Sequence, residues 1–163
     1  MMALRLRYLV LLGVLLLGAC TVPWKTPPTT TPPGTPEETT KPGRPGPIPV
    51  RPLNVKAECR INDEAGLTGA LTLNITEAKV NAFAATVNIP KHGTCRFALK
   101  DFSQTKTLPI VELSQTKGNC IVRVWEQGER VTVAFSRCEK QCTGGAFSWL
   151  LPIIHDRRDG TCA

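Results

Sequence analysis

A mainly β fold is predicted: a small antiparallel β-barrel or sandwich stapled by disulfides, behind a disordered Pro/Thr-rich tether. Three observations carry this expectation. Apolar and polar residues alternate with period two through most of residues 53–163, six cysteines lie in that stretch, and no strand–helix alternation of a parallel sheet occurs. The 163 residues allow one ordinary domain with extra segments, and the composition excludes a collagenous, coiled-coil or wholly disordered chain. Composition divides the chain into a leader at 1–19, a tether at 20–52 and a β-domain at 53–163.

The strand candidates follow in order. Val55 to Ile61 is the first. Leu71, Leu73 and Ile75 then alternate with Thr72 and Asn74, and Phe83, Ala85, Val87 and Ile89 alternate likewise. Pro90-Lys91-His92-Gly93 reads as a turn, after which Cys95, Phe97 and Leu99 return, so this pair is an expected hairpin. Leu108 to Leu113 is a further strand. Cys120, Val122 and Val124 form the outgoing arm of a second hairpin, turning near Glu126 to Glu129 and returning through Val131, Val133 and Phe135. Their β-branched content supports strands. Alanines let a helix compete over Glu77 to Asn88, but the period there is nearer two than about 3.6. Ala146 to Ile154 is apolar and reads as a last strand or a short helix over an open end.

Roughly 110 residues bury about 65% of their extended-chain surface, so cross-links would help. Cys59, Cys95, Cys120, Cys138, Cys142 and Cys162 make an even set, and fifteen pairings are possible. Placement in the hairpins suggests Cys95 with Cys120, Cys142 with Cys162, and Cys59 with Cys138. A zinc site from Cys138, Cys142 and His155 is the competing use of these side chains, but it lacks an evident fourth ligand. A Cys-x-x-Cys redox motif is absent from the sequence.

Ahead of this domain, Arg5 and Arg7 precede an apolar run from Tyr8 to Ala19. That run falls short of the roughly 20 residues a bilayer crossing needs, and it reads as a secretory signal. Leu17-Gly18-Ala19-Cys20 resembles the lipobox of bacterial lipoproteins. The resemblance implies cleavage before Cys20, a diacylglyceryl thioether on its sulfur and acylation (palmitate) of its new amine. Two or more chains, at about 0.8 kcal/mol per buried methylene, anchor stably. Thr21 after the cysteine implies delivery to the outer membrane, with the domain facing the periplasm or the cell surface. Residues 21–52 hold eleven prolines and eight threonines with few apolar side chains, too little to offset the entropy of ordering. Polyproline II bias gives this spacer a reach on the order of 100 Å.

The formal charge of +7 falls to +3 in residues 53–163, from 14 Lys and Arg against 11 Asp and Glu. Charge therefore argues little for nucleic acid, and export removes that partner. Ser148 with His155, and Asp156 with Asp159, are too generic to mark a triad or a carboxylate pair. No phosphate-loop or dinucleotide motif occurs in the sequence. A non-enzymatic chain with no cofactor, no metal and no catalytic residue is expected. Recognition then falls to exposed loops, with Lys91, His92 and Lys117 as candidate partner contacts.

The whole chain is similar to proteobacterial outer-membrane lipoproteins. From Val55 onward it also resembles cysteine-rich envelope proteins, through Val131-Thr132-Val133-Ala134-Phe135-Ser136-Arg137-Cys138 and Cys142-Thr143-Gly144-Gly145-Ala146-Phe147. A second resemblance, through Lys117-Gly118, is to the small β-barrel lysozyme inhibitors, whose motif also carries a tyrosine that this domain lacks. The first resemblance implies a tethered β-domain that binds a protein or cell-wall partner in the cell envelope. The second implies a lysozyme inhibitor.

Overall fold

The computed structural model describes residues 46–163 except residue 65. The expected leader, the Cys20 anchor and the tether up to residue 45 lie outside the described residues. Nine strands follow one another: β1 Val55–Asn62, β2 Thr68–Thr76, β3 Lys79–Ile89, β4 Gly93–Ala98, β5 Phe102–Lys106, β6 Val111–Gln115, β7 Ile121–Gln127, β8 Arg130–Ser136 and β9 Ile153–Asp156. They form a four-stranded sheet, β1-β2-β3-β4, and a five-stranded sheet, β5-β6-β7-β8-β9. Every pairing is antiparallel and joins sequence neighbours.

Alternation decides which face each strand buries. Leu71, Leu73 and Ile75 of β2 and Phe83, Ala85, Val87 and Ile89 of β3 point inward, and Val122, Val124, Val131 and Val133 do the same in the other sheet. Both inner faces join one apolar core. Phe83 of β3 meets Phe102 of β5 edge-on at 6.2 Å, and Phe97 of β4 stacks on Phe135 of β8 at 4.3 Å. Truncating a fully enclosed leucine such as Leu73 or Leu113 to alanine would cost about 2–5 kcal/mol. Among the described residues no continuous ladder joins the two sheets, so the arrangement is the sandwich alternative of the expected fold. On one side the chain passes from β4 to β5 through a 3-10 turn at Leu99–Asp101 without reversing. On the other, Cys162 makes isolated bridges to Ile61 of β1 and His155 of β9.

Several elements depart from the sequence expectation. The helix competitor at 77–88 is strand β3, with a bulge: Ile75 faces Val80 and Asn74 faces Ala82, leaving Asn81 unopposed. That extra residue lets Val80 and Phe83, three apart, both turn inward. The β2–β3 turn is Glu77-Ala78, both with left-handed backbone at φ 47° and 60°. This conformation costs roughly 1–2 kcal/mol per non-glycine residue. Hydrogen bonds offset it: the Ala78 N–H donates to the Leu53 carbonyl at 2.9 Å and the Glu77 N–H to the Asn54 side chain at 2.8 Å. β5 has no expected counterpart, because only Phe102 in it is buried. The stretch Ala146 to Ile154 divides into a 3-10 turn at Ala146–Trp149 and the start of β9.

The six domain cysteines form three disulfides, but not the suggested ones. Cys59 joins Cys162, Cys95 joins Cys142, and Cys120 joins Cys138. The suggested Cys95–Cys120 link does not form because each cysteine meets another partner, Cys142 and Cys138 respectively. Cys95 is instead opposite Cys142, whose segment lies along the β4 edge. Cys120 precedes β7 and Cys138 follows β8, two ends the hairpin register brings together. Cys162 bridges β1, so Cys59 is its partner and neither Cys142 nor Cys138 is free for the pairings expected of them.

Candidate binding surface

A meander of sequence-adjacent strands sends its turns alternately to two ends, and the residues leading into β1 distinguish them. Residues 46–52, placed in the tether by composition, lie against the β7–β8 hairpin. The Gln127 Nε2 donates to the Gly46 carbonyl at 2.7 Å, and the Arg51 guanidinium to Glu126 at 2.9 Å. Arg157 grips the other oxygen of Glu126 at 2.7 Å and donates to the Asn54 carbonyl at 2.8 Å. Glu126 is only 5% exposed, so two guanidiniums satisfy a carboxylate that burial would otherwise penalise. Composition missed this segment because polar bonds, not apolar side chains, hold it.

This near end also gathers the remaining ion pairs. Glu112 accepts from Arg123 at 2.9 Å, Lys106 at 3.3 Å and Thr105 at 3.1 Å. Burial raises the Glu112 carboxyl, but these hydrogen bonds outweigh it and hold it below the ordinary glutamate range. Asp156 is bound by the Arg158 side chain and backbone, which hold it well below the ordinary aspartate range, with Arg130 at 4.0 Å. Asp159 accepts from the Thr161 N–H and hydroxyl at 2.9 and 2.7 Å, which lowers it too. The two aspartates considered as a carboxylate pair thus brace the C-terminal loop.

The far end carries the β1–β2 loop, the β3–β4 turn, the β6–β7 turn and the connection from β8 to β9. Lys91, His92 and Lys117, the three expected contacts, all lie there. Lys117 lines an open groove of about 440 Å³ with Lys100, Asp101, Gln115, Thr116 and Gln141. Arg137 lines a smaller neighbouring depression beside Gly118 and Asn119. Among the described residues, Lys91, Lys100, Lys117, Arg137 and Lys140 have no carboxylate within 4.0 Å, whereas all six ion pairs belong to the near half.

The β8–β9 connection is strapped to the β4 edge. The Thr143 N–H donates to the Thr94 carbonyl at 3.0 Å, the Thr94 N–H to the Thr143 hydroxyl at 3.1 Å, and the Cys95–Cys142 disulfide fixes the same place covalently. Two glycines permit this approach. At Gly93 (φ +116°) a Cβ would overlap the Thr143 carbonyl, and at Gly144 (φ +60°) it would overlap the His92 carbonyl. Mounted on this strap, Trp149 stacks on His92 with ring centroids 4.3 Å apart and planes 19° from parallel. Trp149 remains 56% exposed and Leu151 58%. Sequence reasoning picked His92 but not its partner, because Trp149 read as part of an apolar covering segment.

The zinc alternative does not assemble, since Cys138 and Cys142 are committed to different disulfides. His155 lies instead beside Cys162, with Nδ1 3.8 Å from Sγ and 3.2 Å from the Thr161 carbonyl. Cys59, His155 and Cys162 cluster within 4.8 Å, but the two sulfurs are bonded to each other rather than presented as thiolates. Comparison with protein-family models, curated proteins and solved structures found no match to this chain.

Proposed function

We propose that this chain is an outer-membrane lipoprotein, anchored through acylated Cys20, whose β-domain is a non-enzymatic binding module working through the end opposite its attachment. One observation carries the reading: all six ion pairs gather at the near end, around the lead-in segment, while the far end has none among the described residues and keeps an aromatic stack exposed. Charged side chains not committed to ion pairs and an exposed aromatic surface are available for association rather than for internal stability. Photo-crosslinking residues placed at 91, 117 and 149, against controls at 106, 129 and 158, test it in living cells. Adducts from the first set alone are expected, and adducts from neither set would remove the proposal. Separately, Cys20→Ser should abolish acyl mass and release the protein from membranes; retention of the acyl mass would end the lipoprotein reading.

A lysozyme inhibitor is the second reading, favoured by Lys117 at the β6–β7 turn beside Lys100, where both could meet acidic groups of a cleft. Lysis of cell walls by lysozyme should then slow in the presence of the protein and recover with Lys117→Ala. Unchanged lysis with the wild-type protein excludes it.

A further inference from the structure

We infer that the Trp149–His92 stack, with Lys91 beside it, is a docking site for a carboxylate-bearing glycan strand of the cell wall; this rests on the binding-module reading above. One face of the indole is occupied by His92, and over half of Trp149 is exposed. An aromatic face that is already immobilised can stack on the C–H face of a sugar ring without a further ordering cost. The backbone beneath the stack is fixed covalently and sterically: the Cys95–Cys142 disulfide, the hydrogen bonds between Thr94 and Thr143, and the close approach of Gly93 and Gly144 tie the β3–β4 turn to the strap.

Charge selects the kind of glycan. Lys91 is exposed, adjoins His92 in the chain, and has no carboxylate within 4.0 Å among the described residues. An anionic sugar would supply the missing counter-charge, whereas a neutral one would leave Lys91 unused. The large apolar side chains exposed on the strap are Trp149 and Leu151, two residues apart. A strand contacting one sugar ring and one carboxylate matches a patch of that extent. The location agrees, because the site is at the end opposite the lead-in segment.

The test uses the full mature chain in detergent micelles and follows tryptophan fluorescence during titration with soluble peptidoglycan fragments that retain their lactyl and peptide carboxylates. Neutral chitin oligosaccharides serve as the comparison. Saturable binding is expected, weakened at least tenfold by Trp149→Ala and several-fold by Lys91→Gln, with chitin oligosaccharides bound more weakly than the acidic fragments. Because Trp149 change removes a fluorophore, affinities of variants are read by sedimentation with intact sacculi. His92→Phe keeps a ring under the indole and should retain binding, which separates a docking role from a folding defect. No binding, equal binding by Trp149→Ala, or equal affinity for the neutral sugar would each overturn the inference. Far-end crosslinks to a protein together with no glycan binding would overturn it while leaving the binding-module reading in place.

Discussion

Removal of the Cys59–Cys162 disulfide by the double change Cys59→Ala and Cys162→Ala should be the costliest of the three deletions in chain entropy. The two residues are 103 apart in sequence, against 47 for Cys95–Cys142 and 18 for Cys120–Cys138. Loop-closure entropy converts these separations to about 4.7, 4.0 and 3.2 kcal/mol at room temperature. Packing opposes that ranking, because Cys120 and Cys138 are wholly enclosed while Cys59 is partly exposed. The absolute loss for Cys59–Cys162 is therefore a cleaner test than the order. A domain of this size would lower its melting temperature by roughly 15–20 °C for such a loss. The assay is reversible guanidinium unfolding of the Cys20→Ser mature chain, with and without the double change. Mass measurement after alkylation should first show no free thiol among the other four cysteines. A loss under about 2 kcal/mol would refute the chain-entropy reasoning for this link, and two free thiols would refute the pairing.

Three further outcomes follow from the charged groups and the strap. Glu126→Gln weakens the bonds to Arg51 and Arg157 and should cost about 1.5–3 kcal/mol, with faster amide exchange at Ala78, whose N–H is bonded to Leu53. Unchanged exchange there would show that the lead-in segment is held by something else. Glu112, Asp156 and Asp159 are all held below their ordinary values of 4.5 and 3.8. The unfolded chain thus binds more protons than the folded one in acid, so their contribution is complete above those values and declines as pH falls through them. Unfolding midpoints from pH 6 to pH 2 should fall, and Glu112→Gln should flatten the upper part of that decline. Gly144→Ala places a Cβ against the His92 carbonyl in a left-handed backbone and should cost about 1–3 kcal/mol, read as a lower melting temperature with an altered near-ultraviolet tryptophan signal.

The strands of this molecule were legible where one face of a sheet is buried and the other wet. β2, β7 and β8 lie where alternation of Leu71, Leu73 and Ile75, or of Val122, Val124, Val131 and Val133, places them. Sequence failed where the stabilising partner is distant. β5 is fixed by pairing with β6 rather than by its own apolar residues. The Glu77-Ala78 turn lacks the asparagine and glycine that left-handed positions favour, and Leu53 and Asn54 stabilise it from over twenty residues away. Disulfide pairing depended on which strand edges meet, a property of the complete sheet order. Lys91, His92 and Lys117 were legible as turn residues; that they share one end, and that Trp149 joins His92, required the strand directions.

The three cystines are nested, each enclosing the next along the chain: 59 with 162, 95 with 142, 120 with 138. Only the innermost joins cysteines that are consecutive in sequence. A polypeptide oxidised strictly in order of emergence from a translocation channel would couple Cys59 to Cys95 and leave both without their native partners. Native bonding therefore demands either that oxidation wait until the strands have paired, or that a thiol–disulfide isomerase undo the premature bond. If the chain is exported as proposed, its yield should track the isomerising rather than the purely oxidising arm of envelope folding.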